Sequence, residues 1–433
     1  MEHLEAFLKA ATWHGTLEDA EHILAQHPAI ARSGLHASAV LGDDDAVRRH
    51  LARDATSVSA RIPPYDADPL NYLCLSRYLR LDSSRSDAFV RAATALLDSG
   101  ADPNTGFWVK GERETALYGA AGVAHHAGLT KLLLARGADP NDEEAVYHSP
   151  ETRDNDAMKV LVESGRITPD NLSLMLIRKH DWHDLEGARY LLEHGADPNG
   201  TRRHGLRPLH HALARDNALE MFMLLMDHGA DPTVVSGGHT AVALAAREGR
   251  GDVLELFERR GATTTLRGVD RLIAACARAN GDLARSIARD EPRLVEELNA
   301  MGGTLLAKFA GTCNPPGVGL LLDLGVRVDA TFVEGDGYWG TPPGSLAIHV
   351  AAWRACTPVV RLLLERGSPF DLPDAHGRTP LALAVRACVD SYWTEYRSPD
   401  SARALLDAGA SVAGAGYPSG YRELDELLHA RGA

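Results

Sequence analysis

The sequence predicts an all-α solenoid of about twelve stacked helix-turn-helix units with short β-hairpin fingers. Three observations predict it. A glycine-centred phrase recurs, as LLDSGADPN ending at Asn104, LLARGADPN at Asn141, LLEHGADPN at Asn199 and LMDHGADPT at Thr233. A second phrase opens the units, as DPLNYLC at Asp68, ETALYGAA at Glu114, RPLHHAL at Arg207, HTAVALAA at His239 and RTPLALAV at Arg378. Finally, 433 residues exceed the ~250–300 at which a single core stops growing, so the chain is several domains or an array.

Each position in the two phrases has a physical reason. In Thr379-Pro380-Leu381 the Thr caps a helix, and Pro fits the first turn, where its missing N–H costs nothing. Ala245-Ala246 lets one helix press closely on its neighbours. Leu132-Leu133-Leu134 supplies the apolar stripe of the second helix. Gly137 ends that helix, because a left-handed C-cap favours Gly, and Asp139-Pro140-Asn141 is turn chemistry. Glycines at 100, 137, 165, 195, 229 and 261 keep a spacing near ~33 residues. The paired phrases resemble TPLHxAA…GADxN of the ankyrin-repeat family, in a divergent, bacterial-type form. The resemblance implies a concave groove that holds a protein or peptide partner. It also implies that the His of the TPLH-like motif, here His210, is structural.

In order, residues 1–60 read as divergent N-terminal capping repeats and 61–265 as repeats with a His-rich concave notch. Residues 266–303 read as degenerate helical repeats, 304–413 as repeats with aromatic insertions, and 414–433 as a C-terminal capping helix.

Composition narrows the function. Lys+Arg 45 against Asp+Glu 59 gives a formal charge of −14, and no Lys/Arg block offers phosphates a basic surface, so nucleic acid is not an expected partner. No secretory leader and no apolar run of ~20 residues is evident, so a cytoplasmic chain without membrane contact is expected. The five cysteines, 74, 276, 313, 356 and 388, are odd in number and lack CxxC; buried reduced thiols are expected rather than a disulfide framework. No GxGxxG, P-loop, HExxH or GxSxG motif is present, and no cofactor is expected.

The repeat breaks its own rules at three places. First, the unit at 144–165, with Glu144 where Thr belongs, puts Ser149 and Pro150 at the small Ala-Ala positions. Pro inside a helix costs about 3 kcal/mol, so a short or open inner helix is expected there. Its connections are clipped, leaving two units without fingers and a notch in the wall. Second, polar residues gather at the inner-helix ends of four successive units: Tyr118, His125 and His126; Tyr147, His148 and Glu151; Arg178, Lys179, His180, Asp181, Trp182 and His183; His210, His211, Arg215, Asp216 and Asn217. Third, aromatic loops occur at 105–114 (Phe107, Trp108), 332–345 (Tyr338, Trp339) and 388–399 (Tyr392, Trp393); aromatics of this type dominate interface hot spots.

The first functional expectation is a recognition scaffold. Its contact residues are Trp108, Tyr147, His148, Glu151, Arg178, Trp182, His183, His211, Arg215 and Trp339, and its partner is a protein or peptide, with a small acidic ligand as a second class. The alternative is a hydrolase or lyase in the notch of repeats 4–7, with His148, Glu151, His180 and His183 as acid–base groups and His180, His183 and His211 as metal ligands. The bland reading of the same cluster is helix capping and solvation.

Overall fold

The computed structural model describes residues 2–201, 207–263, 265–389 and 398–432. The chain forms two compact units, Met1–Pro208 and Leu209–Ala433. In the first unit the inner and outer helices pair as Glu2–Ala11 with Leu17–Gln26, Leu35–Leu41 with Asp44–Arg53, and Pro69–Cys74 with Ser86–Asp98. A short helix Ala116–Tyr118 runs on as a π turn, Gly119–Val123, and pairs with Ala127–Ala135; Glu143–His148 pairs with Asp156–Glu163, and Pro169–Asp181 with Leu185–Glu193. The second unit pairs Pro208–Ala214 (whose first residue marks the division) with Leu219–Asp227, Ala241–Arg247 with Gly251–Arg259, and Val269–Ala277 with Gly281–Asp290. An extra helix, Pro292–Ala300, precedes Gly302–Gly311 with Pro315–Asp323, Ala347–Trp353 with Thr357–Glu365, and Pro380–Val389 with Asp400–Asp407. Twelve helix pairs stand among the described residues, and a single helix, Arg422–His429, follows the last of them with Leu424 and Leu428 buried.

The motif chemistry acts as its residue types dictate. Thr115 and Thr240 accept the backbone N–H of Tyr118 at 3.0 Å and of Ala243 at 3.1 Å. Gly137 sits at φ +100, and Ala138 N–H reaches back to Leu133 O at 3.0 Å, the bond that satisfies orphan carbonyls at a helix end. The Asn of the GADPN phrase stitches neighbours together: Asn104 accepts from Asp139 N–H at 2.9 Å and donates to Gly137 O at 3.1 Å. At the TPLH-like His position, His210 Nε2 bonds His239 O at 2.9 Å; His36 and His349 do the same to Ala60 O and Leu372 O, each at 2.8 Å. The structural role that the resemblance implies for His210 is thus visible in three repeats.

Three antiparallel hairpins stand among the described residues, at Gly106–Val109/Glu112–Thr115, Val235–Ser236/His239–Thr240 and Thr331–Phe332/Ser345–Leu346. No strand lies between the first and second of them among the described residues, so the clipped connections do lack fingers. The short inner helix Glu143–His148 stops before Ser149 and Pro150, as the Pro demands. Its start differs from the repeat register. Asp142, not Glu144, is the N-cap, accepting Ala145 N–H at 2.8 Å and Thr115 Oγ1–H. The helix therefore begins earlier, and Glu144 becomes a first-turn residue facing His148 one turn on.

Two other expectations are corrected. Cys313 and Cys356 form a disulfide with Cα atoms 5.5 Å apart, while Cys74, Cys276 and Cys388 are free and buried. Cys313 sits in an inter-helix turn, and Cys356 occupies the same turn of the next repeat, just before its outer helix; stacking brings together residues that lie 43 apart in sequence. Trp339, expected at a loop tip, is only 8% exposed. Asp336 accepts from the backbone N–H groups of Tyr338 and Trp339 at 3.1 and 3.3 Å, curling the loop tip inward. Trp353 Nε1 then donates to Trp339 O at 2.7 Å, and the Arg354 guanidinium lies 3.4 Å from the Trp339 ring centre. Tyr392 and Trp393 lie outside the described residues.

Candidate functional site

The first unit carries the densest cluster of titratable groups that burial perturbs. It begins with strand register. The finger pairs Phe107 with Glu114 and Trp108 with Arg113, and side chains alternate across a strand. Phe107 and Glu114 therefore share the inward face, at 3% and 4% exposure, while Trp108 stands outward at 70%. The inward face is aromatic. Phe107 stacks on Tyr65 at 5.0 Å, and Trp13 meets both edge-on at 5.7 and 5.8 Å. Trp13 Nε1 donates to Tyr118 Oη at 3.1 Å.

Glu114 Oε2 is buried with no hydrogen-bond partner among the described residues. Burial, reinforced by the negative charges of Glu144 and Glu112, pushes its carboxyl up to about 7. Next to it, His148 is held between two carboxylates: Nδ1 lies 2.8 Å from Glu151 and Nε2 3.2 Å from Glu144. Burial disfavours the imidazolium, but the Glu151 hydrogen bond and the charges of Glu151 and Glu144 outweigh it and raise the affinity of His148 for its proton. Burial acts in the opposite sense on Glu151, yet His148 and Arg178 hold it below the usual carboxylate range. Arg178 bridges Glu151 and Asp181 and lies 4.1 Å over the Tyr147 ring. A Cβ at Gly122, in the π turn, would come within 2.8 Å of His148 and 2.9 Å of Tyr118, so glycine there lets the two rings approach to 5.2 Å.

The structure thus brings together Tyr147, His148, Glu151 and Arg178 of the expected contact residues, with Trp108 exposed on the finger and Trp182 42% exposed at the neighbouring inner turn. It does not set His180 and His183 on one helical face. The helix ends at Asp181, and His183 takes a left-handed φ of +50 in the turn. His180 is fully buried. Lys179 and Asp184, also buried, pair at 2.9 Å, and Asp184 caps the next helix through Gly187 N–H at 3.0 Å. The HDWHD string is therefore largely turn and cap. His125 shares that left-handed turn position with φ +52, and burial, then Arg80, lowers it to about 4. His211 and Arg215 belong to the second unit, where His211 is buried and Arg215 lies 4.1 Å over Tyr338. Among the described residues no group of three or more His, Cys, Asp or Glu is arranged to hold a metal ion. Nor is any helix there long and apolar enough to cross a membrane.

Sequence reading missed Glu114, Glu144 and Trp13. Phe107–Trp108 ahead of Glu114 carries the signal for the first, since period-2 alternation across a short hairpin buries one face. Nothing local marks Trp13, 105 residues from its partner. A small second cleft was also not anticipated; it lies in the second unit and is lined by Asp216, Glu248, Lys308, Asp336, Trp339 and Arg354 among others. There Lys308 sits 3.4 Å from Glu248 and 3.3 Å from Asp336, and Asp216 binds Arg250 at 3.0 Å and Arg354 at 2.7 Å. Its buried charges satisfy one another.

Residues 174–268 match the family model described as ankyrin repeats (3 copies). A human BCL-6 corepressor-like protein 1 is 44% identical over 68 residues, 16% of this chain and 4% of that protein. Potassium channel AKT1 of Oryza sativa subsp. indica is 39% identical over 82 residues, 19% of this chain and 9% of the channel. Mouse cyclin-dependent kinase 4 inhibitor B is 39% identical over 80 residues, 18% of this chain and 60% of the inhibitor. Together with the helix pairs and hairpins, these matches fit the all-α ankyrin-repeat solenoid that the sequence predicts.

Proposed function

We propose, from the premise of a chain built of ankyrin repeats, that it is a recognition module that binds a protein or peptide along the inner face of its first unit. Ankyrin repeats are in general protein-interaction modules, and one relative is named as the inhibitor of another protein, a kinase. The observation that carries the reading is the exposure of Trp108 on the finger at 70% and of Trp182 at the inner turn at 42%. Between them in sequence stand the half-buried Tyr147, His148, Glu151 and Arg178, with His183 beside Trp182. Large aromatics left in water next to fixed polar groups are the composition of an interface core with its rim.

Affinity capture with quantitative mass spectrometry tests it. Replacing both Trp108 and Trp182 by Ala lowers recovery of the specific partner at least about tenfold, the loss of one anchor of ~1.4 kcal/mol or more, with an unchanged melting temperature. Equal recovery by the double variant overturns the reading.

A second reading, a hydrolase or lyase, is favoured by one observation: Glu114, Tyr118 and the Glu144–His148–Glu151 chain place an acid raised to about 7 near an imidazole with two orienting carboxylates. A thermal-shift screen of metabolites, with His148→Gln as control, supports it only if a hit is also turned over. The cytoplasmic setting is part of the proposal, and the Cys313–Cys356 bond is the observation that counts against it, because cytosolic thiols are kept reduced. Thiol trapping in freshly lysed cells reads this directly.

A further inference from the structure

The first unit's notch carries more carboxylates than its cations satisfy. Glu114 is 4% exposed, with Oε2 lacking any partner among the described residues. Native proteins rarely leave a buried polar atom unpaired, and each exception asks for an occupant or a cost. Glu144 is the more exposed of the two, with a side chain 19% exposed, and shares its carboxylate with His148. The cations nearby are committed elsewhere. Arg178 bridges Glu151 and Asp181, and Arg113, on the outward face of the finger, donates to Asn104 O. Arg61 donates to the backbone of Gly106 at 2.9 Å. The groups facing Glu114 are Glu112 on its own strand, Asp142, Glu144 and His148 from the next repeat, and the Tyr118 phenol. Asp68, in the preceding repeat, is engaged by Thr105 Oγ1–H. Phe107 pairs with Glu114 across the finger, the Tyr118 phenol senses the Glu114 charge, and Trp13 contacts both rings.

We infer that this notch is a subsite for one basic side chain, an arginine or lysine presented by the partner, which enters between Glu144 and Glu114 and supplies the donor that Glu114 Oε2 lacks. The inference rests on the protein-recognition reading and deepens it. Carboxylates backed by aromatic rings suit a guanidinium or ammonium group, which gains hydrogen bonds from the first and quadrupole attraction from the second. Occupancy has a proton cost. Burial and the neighbouring negative charges hold Glu114 protonated up to about pH 7, so an arriving cation displaces that proton, and capture strengthens as pH rises. His148 loses its proton in the same direction and adds to the trend.

NMR titration with N-acetyl-arginine amide and N-acetyl-lysine amide tests this, with N-acetyl-glutamine amide as the neutral control and ionic strength fixed. From pH 6 to pH 8 the ionised fraction of a group at about 7 rises from about 0.1 to 0.9, so the wild-type affinity for the cationic probes rises about tenfold or more. The neutral probe stays unbound. Glu114→Gln, which mimics the protonated carboxyl and so folds, cuts that ratio below about threefold; Glu144→Gln weakens binding at pH 8 and shrinks the ratio less than Glu114→Gln does, because burial still raises the Glu114 carboxyl without the Glu144 charge. Absence of binding by both cationic probes, or a Glu114→Gln variant with the wild-type ratio, overturns the inference. Those outcomes leave the Trp108 and Trp182 capture result standing, whereas failure of that capture with a normal titration removes the recognition reading alone.

Discussion

Glu114 shows how one residue's burial becomes a stability term. Its folded carboxyl ionises at about 7, against an ordinary 4.5. Between those values the unfolded chain has lost the proton and the native protein keeps it. The native state binds more protons in that window, so stability falls as pH rises from about 4.5 through about 7, and the full cost is present above. A shift of this size corresponds to up to about 3 kcal/mol. Glu114→Gln removes the titration, so chemical denaturation finds the variant more stable than wild type at pH 8, and the gap closes towards pH 4.5. A gap that widens at low pH contradicts the burial of Glu114. The residue was legible in the sequence as part of the ETALYGAA phrase but not as a site member, because a Glu before a Thr cap reads as solvated unless the hairpin register opposite Phe107 is known.

At the scale of elements, one inter-helix turn recurs with a left-handed residue: Trp13, His125, His183, Asp216, Ala279, Cys313 and Ala355, all at φ +49 to +56. Gly42 and Gly249 also have positive φ in inter-helix turns, where a Cβ would strike Phe89 at 2.6 Å or Phe309 at 2.8 Å. A left-handed residue other than Gly costs roughly 1–2 kcal/mol, partly offset by the unfolded freedom that Gly adds. Ala279→Gly therefore raises stability by about 0.5–1 kcal/mol, seen as a higher melting temperature. A lower one means the turn is held by something other than its backbone angle. The same turn explains why the sequence made His125, His183 and Asp216 look alike as site candidates. They are alike in position, and only their neighbours separate them: Asp216 is clasped by Arg250 and Arg354, while His183 follows the 42% exposed Trp182. Repeat phrases and caps were readable because they are local. The start of the helix at Asp142 was not, since its capping side chain is chosen by Thr115 from another repeat.

For the molecule as a whole, stability is close to a sum of neighbour interfaces, so a covalent tie between repeats acts on the array beyond its own turn. The Cys313–Cys356 bond closes a loop of 43 residues, which in the chain-entropy view restrains the unfolded state by about 4 kcal/mol. Cys313→Ser with Cys356→Ser lowers the denaturation midpoint of the second unit and leaves the first unit's transition in place. A coincident fall in both transitions means that the two units unfold together. The odd cysteine count hid this pair, because counting cannot see which turns the stack superimposes.

The indole of Trp13 reaches past two intervening repeats to the phenol of Tyr118, and its backbone is pinned by Leu75 O at 2.8 Å. The first helix pair is consequently tied to the third and fourth as well as to its own neighbour. A proteolytic nick that sheds that helix pair would take the Trp13 ring away from Tyr118, Tyr65 and Phe107 and leave the aromatic side of the finger open to water.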